Sequence, residues 1–145
     1  MLIDTNILLY SVNESSEEFS QVHKFLENRI KSNDSLHITW INVYEFLRVA
    51  THPNIFDRPL TPMEAWSNIV SLINHPNFVI LQETPRHSLI IGEIVTELNP
   101  VGNFWHDCHI AAILKENGVD EIATCDMDFR KFTFLKTINP LFLRA

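Results

Sequence analysis

Five acidic residues lie at the ends of predicted strands or near the start of neighbouring helices. In a parallel sheet these ends face one edge, so the carboxylates are expected to converge on one cleft. No Lys or Arg occurs in the immediate motifs to neutralise them. Such a cluster costs free energy unless protons or cations relieve its repulsion. The five residues are Asp4, Glu45, Asp107, Asp126 and Asp128.

Carboxylates in such a cluster favour a hard divalent cation. Mg²⁺ and Mn²⁺ bind oxygen ligands, keep several waters and suit phosphate substrates, so the expected chemistry is phosphodiester hydrolysis by a metal-activated water. Each acid also has a structural interpretation that the spacing leaves open. Asp4 and Asp107 fit helix N-caps. Asp126 and Asp128 fit an Asx-turn, and Glu45 fits a solvated helix position.

Apolar runs that alternate with helical patterns predict the elements that position these acids. The runs are continuous rather than alternating, which is typical of a parallel sheet covered on both faces. Thr61–Glu64 has the form of a capping box with Pro at the first helical position, and residues 5 and 6 fit the N-cap of the first helix. The predicted strands are residues 2–3, 36–40, 78–81, 122–124 and 134–138, and the helical segments include residues 7–10, 16–31, 43–50, 61–73, 86–98 and 107–116.

Length and composition predict a single domain over residues 1–145. The formal net charge of −7 argues against broad neutralisation of nucleic-acid phosphates. An acidic pocket that holds divalent cations is less negative than this count, so a nuclease is not excluded. No apolar run is long enough to span a bilayer, a basic signal-peptide region is absent, and two cysteines are too few for a disulfide framework. We therefore expect a cytoplasmic protein without a membrane segment.

Four short motifs, in their order and spacing, resemble those of the PIN-domain ribonucleases. The similarity extends over essentially the whole chain and is greatest to the VapC toxins of bacterial toxin–antitoxin pairs. It implies a three-layer α/β/α fold with a mostly parallel sheet of about five strands. It also implies Mg²⁺- or Mn²⁺-dependent endoribonuclease activity, homodimerisation and a VapB-type antitoxin as partner. The motifs are Asp4–Asn6, Glu45 in a helix, residues 106–112 and residues 124–129.

The resemblance also assigns roles to individual residues. Asn6 and Thr124 match polar positions that organise the site through hydrogen bonds to the carboxylates. Trp105 and Cys108 depart from the usual neighbours of the acid in the sixth predicted helix, which bears on substrate fit. The implied catalytic acids and metal ligands are Asp4, Glu45, Asp107 and Asp126, with Asp128 as a further acid of the metal site.

Basic residues near the motifs are candidates to hold RNA phosphates. The alternative is that they are solvated surface charges, in keeping with the acidic total. The residues are Arg48, Arg58, Arg130 and Lys131.

Two further patterns have a structural interpretation that we favour. His106, Cys108 and His109 suggest zinc, but successive residues of a helix diverge by about 100°, so the three cannot converge on one ion. Cys108 and Cys125 each adjoin an implied ligand, which suggests a redox switch, but small buried thiols are the simpler interpretation.

Three alternative functions remain at this point. A housekeeping RNA-processing nuclease has the same site, because a fold does not fix a biological role. A PIN-like module that binds RNA or a partner without cleavage is disfavoured by the complete acidic set. A haloacid-dehalogenase-like phosphohydrolase needs a second acid two residues after Asp4, where this chain has Asn6.

Overall fold

Five short strands form one parallel sheet in the computed structural model, which describes residues 1–143. The strands are β1 (Leu2–Ile3), β2 (Leu36–Thr39), β3 (Phe78–Leu81), β4 (Glu121–Ala123) and β5 (Lys136–Ile138). Their order across the sheet is β3-β2-β1-β4-β5, and every neighbouring pair is parallel. The predicted parallel α/β sheet of about five strands is confirmed.

Within residues 1–143, six α-helices flank the sheet. They are α1 (Thr5–Val12), α2 (Phe19–Lys31), α3 (Trp40–Ala50), α4 (Pro62–Ile73), α5 (His87–Leu98) and α6 (Phe104–Glu116). Two short 3₁₀-helices follow the last two strands, at Met127–Lys131 and Pro140–Phe142. Within residues 1–143, every helix is too short or too polar to cross a bilayer.

Apolar residues from the two faces of the sheet form two separate cores. Neighbouring residues of a strand point to opposite faces. Leu2 accordingly packs in one core with Ile113 of α6, and Ile3 packs in the other with Ile7 of α1 and Phe46 of α3. Buried residues of α5 and α6 therefore cover one face, and those of α1 to α4 cover the other. This is the predicted three-layer arrangement.

Side-chain caps fix the start of α4, and a left-handed residue ends α5. Thr61 accepts the N–H of Glu64 at 3.2 Å, and Glu64 accepts the N–H of Thr61 at 2.7 Å, which is the predicted capping box. Asn99 ends α5 with φ 46°, and Pro100 directly after it prevents further helix.

Two predicted helix starts are wrong. α1 begins at Thr5 with Asp4 as its N-cap, so neither Thr5 nor Asn6 caps it. α6 begins at Phe104, which puts Asp107 inside the first turn and excludes it as the N-cap. Aromatic residues before Asp107 thus extend α6 by three residues beyond the predicted start.

Candidate active site

The site lies where β1 and β4 end side by side. Leu2 pairs with Ile122 and Ile3 with Ala123, and the N–H of Asp4 donates to the Ala123 carbonyl at 3.0 Å. Connections leave this point towards both edges of the sheet, because β2 lies on one side of β1 and β4 on the other. Ligand sites of open α/β sheets lie at such a switch point.

Asp4 is a buried carboxylate with a full set of donors. The side chain is 6% exposed. One oxygen accepts the N–H of Thr5 at 2.7 Å, as an N-cap does. The other accepts the Thr124 hydroxyl at 2.6 Å and the Asn6 amide at 2.8 Å. The hydrogen bonds that the resemblance implies for Asn6 and Thr124 are present, and they fix the direction of the carboxylate.

Asn42 is a buried residue of this network that the sequence analysis missed. It completes a capping box with Thr39 at the start of α3, and its amide nitrogen lies 3.4 Å from Asp4 Oδ1 and 3.2 Å from Thr5 Oγ1. The spacing Thr39-x-x-Asn42 was the available signal, but the usual capping box has Glu or Gln at its last position. Asn42 thus ties α3 to the start of α1.

The other four acids line a cleft of about 760 Å³ beside Asp4. One carboxylate oxygen from each of Asp107, Asp126 and Asp128 lies within 4.8 Å of the others. Glu45 lies on the α3 wall and is half-exposed. We call this set the acidic cleft: Asp4, Glu45, Asp107, Asp126 and Asp128.

Asp126 and Asp128 also have the turn role considered above. Asp126 Oδ1 accepts the N–H of Asp128 at 2.8 Å and caps the 3₁₀-helix Met127–Lys131. The Thr124 hydroxyl accepts the N–H of Asp126 at 2.9 Å while donating to Asp4. The turn and the cleft are therefore compatible, because this turn holds both carboxylates at the end of β4.

Burial and mutual repulsion raise the pKa of two acids. Desolvation raises the pKa of Asp4 to about 6, against the lowering effect of its hydrogen bonds to Thr124 and Thr5. Desolvation, followed by the charge of Asp126, raises the pKa of Asp107 to about 7. Among residues 1–143, nothing donates a hydrogen bond to the Asp107 carboxylate. Asp107 is thus an acid that receives no hydrogen bond from the described residues, although the charge of Lys131 attracts it.

The donor set fits a hard divalent cation. All candidate ligands are carboxylate oxygens, and a cation among them would offset the repulsion that raises the pKa of Asp107. Mg²⁺ and Mn²⁺ prefer such ligands. The residues present therefore fit the metal that the resemblance implies.

Two of the basic residues named as candidate phosphate contacts lie beside acids of the cleft. Lys131 Nζ is 2.7 Å from Asp128 and lies 4.5 Å from the centre of the Phe104 ring. Arg48 lines the cleft, 3.9 Å from Glu45. The short motifs themselves contain no Lys or Arg, but one helical turn brings each of these cations back to an acid.

The remaining predicted basic residues lie away from the acids. Arg58 is exposed in the loop before α4, and Arg130 is exposed in the 3₁₀-helix, and neither lines the cleft. Their proposed contact with RNA stays a prediction.

The two cysteines have the properties of packing residues. Cys108 is fully buried in the core under α6, and Cys125 is half-buried and contacts Asn139 at 3.6 Å. Burial raises the pKa of both thiols, which disfavours the reactive thiolate. This supports the structural interpretation.

A known protein family matches the parallel α/β fold and the acidic cleft described above. The sequence profile of the PIN domain matches residues 1–135. The chain belongs to the PIN domain family.

Individual relatives resemble the chain over nearly its whole length. It is 29% identical to ribonuclease VapC37 of Mycobacterium tuberculosis over 139 residues, which is 96% of each chain. Two crystal structures share the fold: VapC20 of Mycobacterium tuberculosis, a sarcin-ricin loop cleaving toxin, and DNA-bound VapBC of Salmonella typhimurium. For VapC20 the TM-score is 0.63 at 11% identity, and the match covers 89% of this chain and 92% of that one. For VapBC the TM-score is 0.64 at 18% identity, and the match covers 96% of each chain. The predicted resemblance to the VapC type of PIN domain is confirmed.

Proposed function

We propose that this protein is a divalent-metal-dependent endoribonuclease that acts as the toxin of a toxin–antitoxin pair. The observation that carries the proposal is the acidic cleft, in which Asp107, Asp126 and Asp128 meet beside the buried Asp4. The ribonuclease activity named for the relative VapC37 supports RNA as the substrate. The toxin name of the structural neighbour VapC20 supports the biological role.

Residues of this chain supply the proposed metal ligands and hold one of them in position. Asp4, Asp107 and Asp126 are the proposed principal ligands, with Glu45 and Asp128 at the margin of the same cleft. When bound, Mg²⁺ or Mn²⁺ would supply Lewis-acid activation of water and neutralise charge on the scissile phosphate. Thr124, Asn6 and Asn42 keep Asp4 in position through their hydrogen bonds.

RNA is expected to enter along the α3 wall of the cleft. Arg48 supplies a cation there, and Lys131 supplies one on the opposite side next to Asp128. Tyr44 lines the cleft with 69% of its surface exposed, and its ring packs 6.3 Å from that of Trp40. Exposed aromatic rings stack with unpaired bases, which favours a single-stranded or looped RNA segment as the substrate.

An antitoxin has two suitable contacts on this chain. The acidic cleft fits an arginine guanidinium, which pairs bidentately with carboxylates. A second, largely apolar groove lies between α1, α2 and α4, where Val12, Leu26 and Leu72 are among the lining residues. An amphipathic helical segment of a VapB-type partner fits such a groove, and the paired name VapBC of the structural neighbour supports this arrangement. Homodimerisation of the chain is part of the same proposal.

Cleavage of defined RNAs tests the enzymatic claim. Wild type is expected to cut an internal phosphodiester with Mn²⁺ and to be inactive in EDTA, and Asp4→Asn is expected to be inactive in both. Asp57→Asn is the matched control, because Asp57 is an exposed acid outside the cleft. Full activity in EDTA, or equal activity of both variants, refutes the metal-dependent mechanism.

Expression in a bacterial host tests the biological role. Wild type is expected to arrest growth, Asp4→Asn is expected not to, and co-expression of a VapB-type antitoxin is expected to restore growth. Active enzyme without growth arrest would identify a housekeeping nuclease instead.

A further inference from the structure

Two histidines and two glutamates meet at a second place in the molecule, outside the acidic cleft. We call them the His–Glu cluster: Glu83, His87, His109 and Glu116. Glu83 lies in the loop after β3, His87 begins α5, and the other two lie on α6. Although His109 is two residues from Asp107, helix geometry turns it by about 200° away from that acid.

Three of these side chains already approach the geometry of a metal site. His109 Nε2 is 2.7 Å from Glu83 Oε1, and the two imidazole rings are 5.2 Å apart. One donor atom from each of Glu83, His87 and His109 lies within 4.8 Å of the other two. These donors come from three different elements, so their approach does not follow from helical spacing.

Glu116 orients His87 from inside the fold. Its side chain has 0% exposed surface. Both carboxylate oxygens lie 3.2 Å from His87 Nδ1, and Oε1 also accepts the N–H of Thr84 at 3.0 Å. Because a carboxylate accepts, His87 Nδ1 carries the proton, which leaves the Nε2 lone pair of a neutral ring free. A carboxylate that holds the far nitrogen of an imidazole is the usual support of a metal-binding histidine.

The donor set suits a different class of cation from that of the acidic cleft. Two imidazoles and one carboxylate are a common ligand set for Zn²⁺, with a fourth position open to water, whereas Mg²⁺ prefers oxygen ligands alone. Zn–N bonds of about 2.0–2.1 Å place ligand atoms roughly 3.4 Å apart. The donor atoms of Glu83, His87 and His109 lie within 4.8 Å of one another, and a bound ion would replace the proton between His109 Nε2 and Glu83 Oε1. The side chains of Glu83 and His109 are 48% and 39% exposed, which leaves room for them to adjust around the ion.

We propose that the His–Glu cluster binds one Zn²⁺-type transition-metal ion, with Glu83, His87 and His109 as ligands and Glu116 as the residue that orients His87. The ion would join the loop after β3 and the start of α5 to α6. This site stands independently of the proposed nuclease function, because none of its residues lines the acidic cleft.

Titration of the purified full chain with Zn²⁺ against a chromophoric chelator measures this binding. The variants are His109→Gln and Glu116→Gln, with His23→Gln as the matched control, because His23 is an exposed histidine 3.7 Å from Glu27 outside the cluster. All four proteins are also prepared with Asp107→Asn to weaken metal binding in the acidic cleft. Co²⁺ absorption spectra of the same proteins report the ligands, since histidine sites of low coordination absorb far more strongly than octahedral carboxylate sites.

We expect one Zn²⁺ per chain in Asp107→Asn and in its combination with His23→Gln, because both keep the His–Glu cluster. Any further Zn²⁺ bound by chains that retain Asp107 belongs to the acidic cleft. His109→Gln is expected to weaken binding at least about 100-fold and to remove the intense Co²⁺ bands, and Glu116→Gln to weaken it about 10- to 100-fold.

Three results would overturn the proposal. They are no stoichiometric Zn²⁺ binding by wild type, equal affinity of His109→Gln and His23→Gln, or Co²⁺ bands that survive His109→Gln and vanish with Asp107→Asn. His109 is partly exposed, so its variant decides the question even if Glu116→Gln does not fold.

Discussion

The acidic cleft and the His–Glu cluster both include residues of α6, but a carboxylate pKa is raised in the first and lowered in the second. In the cleft, Asp107 receives no hydrogen bond from the described residues, and burial with neighbouring acids raises its pKa to about 7. In the cluster, a backbone hydrogen bond and then His109 hold the pKa of Glu83 below its usual value. Glu116 is fully buried but contacts His87 and the Thr84 N–H. The difference shows that the neighbours of a carboxylate, rather than its residue type, decide whether its pKa is raised or lowered.

The largest expected effect concerns RNA cleavage, and it separates the cleft acids from acids that have partners. Asp107→Asn is expected to lower kcat/KM at least about 100-fold with Mn²⁺, because losing a ligand costs more than the 10- to 100-fold cost of losing a residue that only orients one. Glu93→Gln, which removes an ion pair with Lys115 on the α5 side, is expected to stay within about twofold, since exposed pairs contribute little. Similar losses of kcat/KM in both variants would show that the acids of the cleft have no special role in cleavage.

The second prediction concerns the support beneath the cleft. Asn42→Ala removes a fully buried side chain that accepts the Thr39 N–H and donates to the Asp4 carboxylate. An unsatisfied buried polar group costs about 1–3 kcal/mol, which corresponds to a melting temperature lower by roughly 3–10 °C for a chain of this size. Asn68→Ala, which removes only a partly exposed contact with the Glu64 carbonyl, is the control. Equal melting temperatures of the two variants would contradict the structural role of Asn42.

The third prediction uses the opposite pKa shifts of the two regions. The folded pKa of Asp107 is raised, so the charged form destabilises the metal-free fold as pH rises from the unfolded pKa, near 4, towards 7. Asp107→Asn is therefore expected to raise the melting temperature at pH 7.5 in EDTA. Because Asp107 is partly exposed and solvent weakens the repulsion, the free energy of unfolding is expected to rise by only about 1–2 kcal/mol. The gain should shrink near pH 4, and the variant should lose most of the Mn²⁺-induced stabilisation.

Glu83→Gln is expected to change stability in the other direction. The lowered pKa of Glu83 contributes stability above its unfolded pKa, which disappears as pH falls through the folded value. The variant should therefore melt slightly below wild type at pH 7.5 in EDTA and match it at pH 3. Melting curves of both variants across this pH range check the pair, and shifts of the same sign would show that the two regions do not differ.

The smallest expected effect distinguishes the two neighbouring cations of the 3₁₀-helix. Lys131→Met removes a charge 2.7 Å from Asp128 at the cleft, and we expect KM for RNA to rise about 2- to 5-fold with little change in kcat. Arg130→Met is expected to have less effect, because among the described residues Lys131, and not Arg130, forms an ion pair with an acid of the cleft. Steady-state kinetics at one fixed salt concentration measures both, and a larger effect of Arg130→Met would reassign the RNA path.

The sheet and the cleft acids could be predicted because their signals are local. The apolar runs around Leu2 and Ile122 each precede an acid, and parallel pairing brings those strand ends together. The start of α6 could not be placed, because Asn103 caps it without a side-chain hydrogen bond and Phe104 and Trp105 have no clear N-terminal signal.

The contacts that the sequence analysis missed join residues far apart in the chain. Asn42 lies 38 residues from Asp4, and His109 lies 26 residues from Glu83. Helical periodicity argued against convergence of His106, Cys108 and His109 on one ion, but it contains no information about a partner on another element. Such contacts depend on how α3 and α6 pack against the sheet, which no short motif records.

Analysis of the RNA ends produced with Mn²⁺ tests the central claim most directly. If the acidic cleft promotes attack of water on phosphorus, the bond to the 3′ oxygen breaks, and the products carry 5′-phosphate and 3′-hydroxyl ends. We expect these ends from wild type with Mn²⁺ and no cleavage in EDTA. Products with 2′,3′-cyclic phosphate and 5′-hydroxyl ends would show attack by the ribose 2′-hydroxyl and would contradict the assignment of the cleft.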